Sequence, residues 1–269
     1  MSAALPPLLL VGCGKMGGAM LAGWLEQGLA EAMVVEPNPA PGLAALPGVT
    51  IVAAPGAIPA GFAPGAVILA IKPQEASAAL PAYARFASQA TFLSIMAGRS
   101  IASMAAALGE GAAIIRAMPN TPAAIRQGFT AAYPGPGVTD AQRALADRLL
   151  GAIGEVAWVE AEDQLNPVTA VSGGGPAYVF LLAEVMEQAA LAEGLPPDLA
   201  RRMARATVAG SGALLAASAE DAAQLRVNVT SPKGTTERAL AVLMSEAGLP
   251  RLMREAIAAA TARSRELAG

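Results

Sequence analysis

The chain has 269 residues, a net charge of −3 and a pI of about 5.2, with 54% hydrophobic and 14% charged residues. That length suggests one large or two modest domains, and so apolar a chain buries enough surface to offset chain entropy rather than stay disordered. The acidic balance argues against a nucleic-acid or anionic-membrane surface; one cysteine and no histidine leave no disulfide framework, no metal site of the zinc type, no Ser-His-Asp triad and no histidine base.

Leu8-Leu9-Leu10-Val11 runs straight into a glycine loop with no basic residue before it, so it reads as a strand and not as a signal peptide. Strand patterns cover Leu8–Gly12, Met33–Glu36, Val49–Val52, Ala66–Ile71, Thr91–Ile95 and Ala113–Ala117. A helix is predicted over Met16–Gln27, with Met20, Leu21, Trp24 and Leu25 at helical spacing. Such alternation of strand and helix points to a parallel sheet covered on both faces. Pro134-Gly135-Pro136-Gly137 marks a surface loop.

After about Asp163 the strands stop. Helices are predicted over Tyr178–Glu193, Leu199–Ala217, Thr235–Glu246 and Leu249–Leu267, punctuated by Gly194, Pro196-Pro197 and Gly248. The expected organisation is an α/β domain over 1–163 and an all-α domain over 164–269. Roughly a hundred helical residues make a thin core, so the apolar faces are covered either by a second copy or by the chain's own α/β domain. The uncharged stretch Pro167–Ala183 carries Gly173-Gly174-Gly175-Pro176, which is expected to break any membrane-spanning helix. A soluble, cytoplasmic chain is the default reading, with no membrane or nucleic-acid partner.

Gly12-Cys13-Gly14-Lys15-Met16-Gly17 is a G-x-G-x-x-G loop after the first strand and before a helix. Gly12 allows the tight turn, Gly14 the approach of a pyrophosphate, and Gly17 the packing of helix on strand, while the helix start offers free N–H groups to the anion. Glu36 lies at the end of the second strand, at the spacing of an acid that holds a ribose 2′-OH. It would repel the 2′-phosphate of NADP, whereas Asn38 could donate to a phosphate; alternatively Glu36 only ends a strand and faces water. The choice between NAD and NADP stays open. Cys13 reads as a small filler of the loop.

Against 15 arginines the chain has three lysines, Lys15, Lys72 and Lys233, all in segments expected to be loops. They are read as neutralising cofactor and substrate anions near one cleft, against the alternative of chance placement. Three further segments carry polar groups at element ends: Arg116-Ala117-Met118-Pro119-Asn120-Thr121-Pro122, Val171-Ser172-Gly173-Gly174-Gly175-Pro176-Ala177-Tyr178, and Val229-Thr230-Ser231-Pro232-Lys233-Gly234-Thr235-Thr236. Hydroxyls and N–H groups at a helix start suit a carboxylate.

With these segments and Ala70-Ile71-Lys72-Pro73, the chain closely resembles the pyrroline-5-carboxylate reductase family over nearly its whole length. The resemblance implies an N-terminal Rossmann-type domain, a helical C-terminal domain that interlocks two subunits, often a ring of dimers, and NAD(P)H-dependent reduction of 1-pyrroline-5-carboxylate to L-proline. It assigns pyrophosphate to Gly12, Gly14, Met16 and Gly17, with Lys15 beside them. Ala70, Lys72 and Pro73 fall on the adenosine-to-ribose path, and Ala97, Gly98 and Asn120 near the nicotinamide. Ser231, Gly234, Thr235 and Thr236 fall to the substrate carboxylate and ring nitrogen, with Thr236 as the donor to that nitrogen. A helix cap is the alternative role for Thr235 or Thr236.

Three positions depart from the family pattern. Gly174 stands where a serine is usual, Lys233 where a glycine is usual, and Glu36 runs against the common NADP preference. A lysine at 233 implies that the position does not need a glycine-only backbone angle. A β-hydroxyacid dehydrogenase shares the glycine loop but needs a helix-borne lysine, which the C-terminal half lacks. Another imine reductase and a non-catalytic dinucleotide-binding homologue remain as further alternatives.

Overall fold

A computed structural model describes residues 4–268, which form two compact units, 4–173 with 260–268 and 174–259. The first unit is built on eight strands: β1 (Leu8–Val11), β2 (Ala32–Val35), β3 (Val49–Val52), β4 (Ala66–Leu69), β5 (Thr91–Ser94), β6 (Ala113–Met118), β7 (Gly128–Pro134) and β8 (Gly154–Trp158). They lie in the order β3-β2-β1-β4-β5-β6-β7-β8. The strand order reverses around β1, which pairs in parallel with both β2 and β4. In open α/β sheets that reversal marks the ligand crevice, at the carboxyl ends of the strands.

β1, β2, β4 and β5 are buried at every residue, as a parallel sheet covered on both sides requires. Alternate residues feed two cores. Leu8, Leu10, Val34, Ile68, Leu93 and Ile115 meet Met20, Leu21 and Trp24 of α1 (Lys15–Glu26) and Leu149 and Leu150 of α4 (Asp140–Gly151). Leu9, Val11, Met33, Val67, Phe92 and Ile114 meet Leu80, Tyr83, Phe86 and the apolar side of α3 (Ile101–Leu108). The Trp24 indole N–H, fully buried, donates to the Leu149 carbonyl at 2.8 Å, which satisfies the only polar atom that its burial would strand. The Thr139–Gln142 capping box starts α4.

Two strands escape the sequence pattern, β7 and β8, and β7 runs antiparallel to β6. The connection from Met118 to Gly128 holds only a short 3₁₀ turn, Thr121–Ile125. That is too short for the crossover a parallel pair needs, so the chain doubles back. The single turn α2 (Ala76–Ala79) follows β4, and α5 (Leu165–Val168) leads into a π-helical turn, Thr169–Gly173.

The second unit is helical. α6 (Gly175–Ala192) and α7 (Pro197–Ala217) form a hairpin, linked by Arg201–Glu187 at 3.2 Å; α8 (Ala222–Asn228), α9 (Thr235–Leu243) and α10 (Leu249–Ala268) follow. α10 returns to the first unit at its end, where Ser264 Oγ donates to Asn166 Oδ1 and Arg265 pairs with Asp163. Within α6, α8 and α9 no side chain is buried, and α7 buries only Ala200 and Ala204. Phe180, Leu181, Val185, Leu214 and Val242 are among the large apolar side chains left exposed.

At Gly173–Pro176 the helical run is interrupted by a bend at Gly174, between the π turn and α6. The stretch Glu162–Ala192 is apolar and long enough to cross a membrane by length and composition alone. Gly174 is the N-cap of α6, and Pro176 sits in its first turn, where the missing N–H costs no helical hydrogen bond.

Candidate functional site

The glycine loop follows β1. Gly12 has φ +86°, its N–H donates to the Val35 carbonyl at 2.9 Å, and a Cβ there would lie 2.7 Å from the Ala70 carbonyl oxygen. Only glycine meets both conditions. Gly17, buried, brings α1 onto the Gly12 carbonyl. Gly14 is different: it is the N-cap of α1, no side chain caps that end, and a Cβ would meet nothing within 4 Å. The helix start therefore presents uncapped N–H groups to open space, which fits a pyrophosphate. Lys15 is the first residue of α1 rather than part of the loop, and is exposed; Met16 is half-buried.

Glu36, just past β2, is fastened to this loop. Its Oε2 accepts the Cys13 N–H at 2.8 Å and its Oε1 the Asn38 N–H at 3.0 Å. The carboxylate therefore does more than end a strand. Burial, and secondarily the Glu36 charge, push the Cys13 thiol above its ordinary value, so Cys13 is a poor nucleophile. Asn38 is exposed.

The remaining positions on this unit sit at the carboxyl ends of β4, β5 and β6. Ala70 and Pro73 are half-buried and Lys72 is exposed. Ala97 and Gly98 form the turn after β5. Arg99, which sequence reasoning missed, donates from Nε to the Pro73 carbonyl at 2.8 Å and so ties the β4 loop to the β5 loop. Asn120 is held at both ends: Oδ1 accepts the Phe129 N–H at 2.9 Å and Nδ2 donates to Ser172 Oγ at 3.2 Å. Ser172 was visible in its motif but had no role. It lies in the π turn, and Gly173 beside it lets that turn approach Met118, whose Cε would be 2.6 Å from an added Cβ. Gly12, Glu36, Lys72, Ala97 and Asn120 thus follow the carboxyl ends of β1, β2, β4, β5 and β6.

On the helical unit, residues 230–234 form one tight turn ahead of α9. Thr230 Oγ1 donates to the Arg226 carbonyl at 2.6 Å, and the Gly234 N–H to the Ser231 carbonyl at 3.0 Å. Gly234 is the N-cap of α9, with no side chain capping it. Thr235 and Thr236 are its first two residues, so neither serves as the cap; among the described residues neither hydroxyl has a hydrogen-bond partner. Ser231 and Thr235 are exposed and Thr236 half-buried. Beside the turn, Arg226, Val227, Thr230, Glu237, Leu240 and Met244 line an open cavity of about 260 Å³.

One inference from the residues is overturned. Lys233 has φ +60°, the left-handed region that glycine favours. The position does call for a glycine-like angle. The lysine is held there because its N–H donates to Glu237 Oε2 at 2.6 Å, across the first turn of α9.

Comparison with known proteins covers both units. Residues 162–267 match the family model for pyrroline-5-carboxylate reductase dimerisation, and residues 8–98 that for NADP oxidoreductase, coenzyme F420-dependent. The exposed apolar helix faces thus belong to a self-association region. The pyrroline-5-carboxylate reductase of Pseudomonas aeruginosa is 36% identical over 98% of this chain and 97% of its own. The solved structure of a pyrroline-5-carboxylate reductase from Coxiella burnetii superimposes with a TM-score of 0.89 at 30% identity, covering 97% of this chain and 98% of that one. The pyrroline carboxylate reductase of Plasmodium falciparum, solved with NADP bound, shares the fold with a TM-score of 0.83 at 23% identity, over 98% of both chains. On this full-length agreement the chain belongs to the pyrroline-5-carboxylate reductases, oxidoreductases that act on a C=N bond.

Proposed function

We propose that the chain reduces 1-pyrroline-5-carboxylate to L-proline with NADH or NADPH, as a soluble cytoplasmic enzyme assembled from dimers, with a ring of dimers as the larger form and no nucleic-acid or membrane partner. Residues 1–163 serve the cofactor, and residues 164–269 serve the substrate and self-association. Bound NAD(P)H supplies the hydride that saturates the C=N bond.

The residues of the chain supply position. Gly12, Gly14, Lys15, Met16 and Gly17 hold the pyrophosphate against the uncapped start of α1. Glu36 and Asn38 meet the adenosine ribose, and Ala70, Lys72 and Pro73 line the path along it. Ala97, Gly98 and Asn120 border the nicotinamide; Asn120 is useful there because both ends of its amide are already fixed.

Ser231, Gly234 and Thr235 hold the substrate carboxylate at the start of α9, where N–H groups and the helix dipole favour an anion. Thr236 donates a hydrogen bond to the ring nitrogen. A threonine hydroxyl is too weak an acid to protonate an imine outright. Thr236 therefore orients the ring, and the proton arrives with an already protonated imine or from water. Holding donor and acceptor in line is the source of most of the rate.

The observation that carries this reading is the free pair of hydroxyls on the uncapped start of α9. The test mixes purified protein with 1-pyrroline-5-carboxylate and NADH or NADPH, and follows loss of the reduced-nicotinamide absorbance together with proline formed. No oxidation with either cofactor overturns it.

A further inference from the structure

Resting on the reading that the glycine loop takes a nicotinamide dinucleotide, we infer that Glu36 makes this chain select the cofactor with free ribose hydroxyls, NADH, over its 2′-phosphorylated counterpart, NADPH.

Glu36 is anchored, not mobile in a solvent shell. One oxygen is bound by the Cys13 N–H of the glycine loop and the other by the Asn38 N–H. A carboxylate swings away from an approaching anion when it is free; this one would have to break two charge-assisted hydrogen bonds to do so. The same anchoring leaves acceptor capacity. A carboxylate offers about four lone-pair sites, two of which are used, so two remain for ribose O–H donors. A 2′-phosphate brings negative charge and no matching donors to that place.

The segment that carries Glu36 supplies no cation to offset the repulsion. No lysine or arginine occurs between Lys15 and Lys72, so the whole segment from β2 through β3 carries no side-chain cation. Lys15 and Lys72 follow β1 and β4, whereas Glu36 follows β2, on the opposite side of β1 from β4. Asn38 brings a neutral amide that donates a hydrogen bond but cannot balance charge. Specificity here is a repulsive element combined with an attractive one.

The test measures dissociation constants for NADH and NADPH directly on the full chain, by nicotinamide fluorescence or calorimetry, with no substrate present. NADH is expected to bind at least about tenfold more tightly, the gap narrowing as added salt screens the exposed phosphate. Glu36→Gln is expected to close most of the gap by tightening NADPH, its single amide oxygen keeping one of the two N–H partners, Cys13 or Asn38. Wild-type binding of NADPH as tight as that of NADH overturns the inference, whether or not the variant folds; so does a folded Glu36→Gln with the gap unchanged. Selective NADH binding without imine reduction would sink the reductase reading and leave this one intact. Imine reduction with NADPH bound the more tightly would do the reverse.

Discussion

The carboxylate of Glu162 lies 2.7 Å from the guanidinium of Arg116, and the same oxygen accepts the Ile101 N–H at 2.8 Å. One acid thus pairs the buried arginine of β6 and occupies a free donor at the start of α3. Arg116 is 9% exposed, so removing its partner leaves a charge with little water around it. Glu162→Ala is expected to cost about 1–3 kcal/mol, reduced from the fully buried case because the glutamate is partly solvated. Glu162→Gln keeps an acceptor and should cost less. Denaturant unfolding of the two variants checks the order.

The glycine loop separates folding from binding at two neighbouring positions. Gly12→Ala combines a left-handed angle with a contact on the Ala70 carbonyl, and should lose about 2 kcal/mol or more of stability. Gly14→Ser meets no atom within 4 Å and gives α1 a better N-cap. Its stability should hold or rise, while its hydroxyl takes the N–H that the pyrophosphate needs and raises the cofactor dissociation constant by about tenfold or more. Thermal melts and cofactor titrations on both variants separate the two effects.

Burial pushes Tyr83 up to about 12. An unfolded tyrosine ionises near pH 10. The folded state therefore holds the proton more tightly than the unfolded state does. The stability it contributes is complete below about pH 10 and is lost as pH climbs toward the folded value. Tyr83 should give its tyrosinate absorbance only well above about pH 10, and Tyr83→Phe should remove that late step and its share of the alkaline loss.

The readability of this fold tracks burial. β1, β2 and β4 are covered on both faces and so appear as unbroken apolar runs, while the equally buried β5 is Phe92-Leu93 between two small hydroxyl residues. β7 and β8 each begin at a glycine, and those glycines pair with each other, Gly128 with Gly154. With alanine and polar residues between them, neither strand has a period or a β-branched run to read. The site divides the same way. The loop glycines answer to local geometry and are legible. The Glu36 link to Cys13 joins residues 23 apart, and the Arg99 link to Pro73 joins residues 26 apart; a hydrogen bond to a distant backbone leaves no pattern in the chain. Lys233 misled because residue type argues only about the average cost of an angle, and Glu237 offsets that cost locally.

Lys233 therefore carries a strain that can be relieved. Lys233→Gly keeps the N–H to Glu237, which is a backbone contact, and removes a side chain from the left-handed region. After allowing for the greater freedom of glycine in the unfolded chain, a gain of about 0.5–1 kcal/mol is expected. Glu237→Ala should move the other way, by about 1 kcal/mol, because it frees the N–H that closes the turn. Comparing melts of both variants with the wild type tests the pair.

Thr236 is the sharpest test of the chemistry. Its hydroxyl has no partner among the described residues and it is not the helix cap, so its loss removes little from the fold. If it orients the ring nitrogen, Thr236→Ala should lower kcat/KM for the imine about ten- to a hundredfold, the scale of one hydrogen bond made to a charged centre. Cofactor affinity should stay nearly unchanged, because the glycine loop and its strand-end neighbours hold that ligand. Thr236→Ser restores the donor and should recover most of the rate. Had the residue acted as a true general acid, the loss would be larger and the pH profile of kcat/KM would lose a limb. Orientation alone predicts a smaller loss at every pH, with the shape of the profile kept. Unaltered kcat/KM in the alanine variant would remove Thr236 from the reaction.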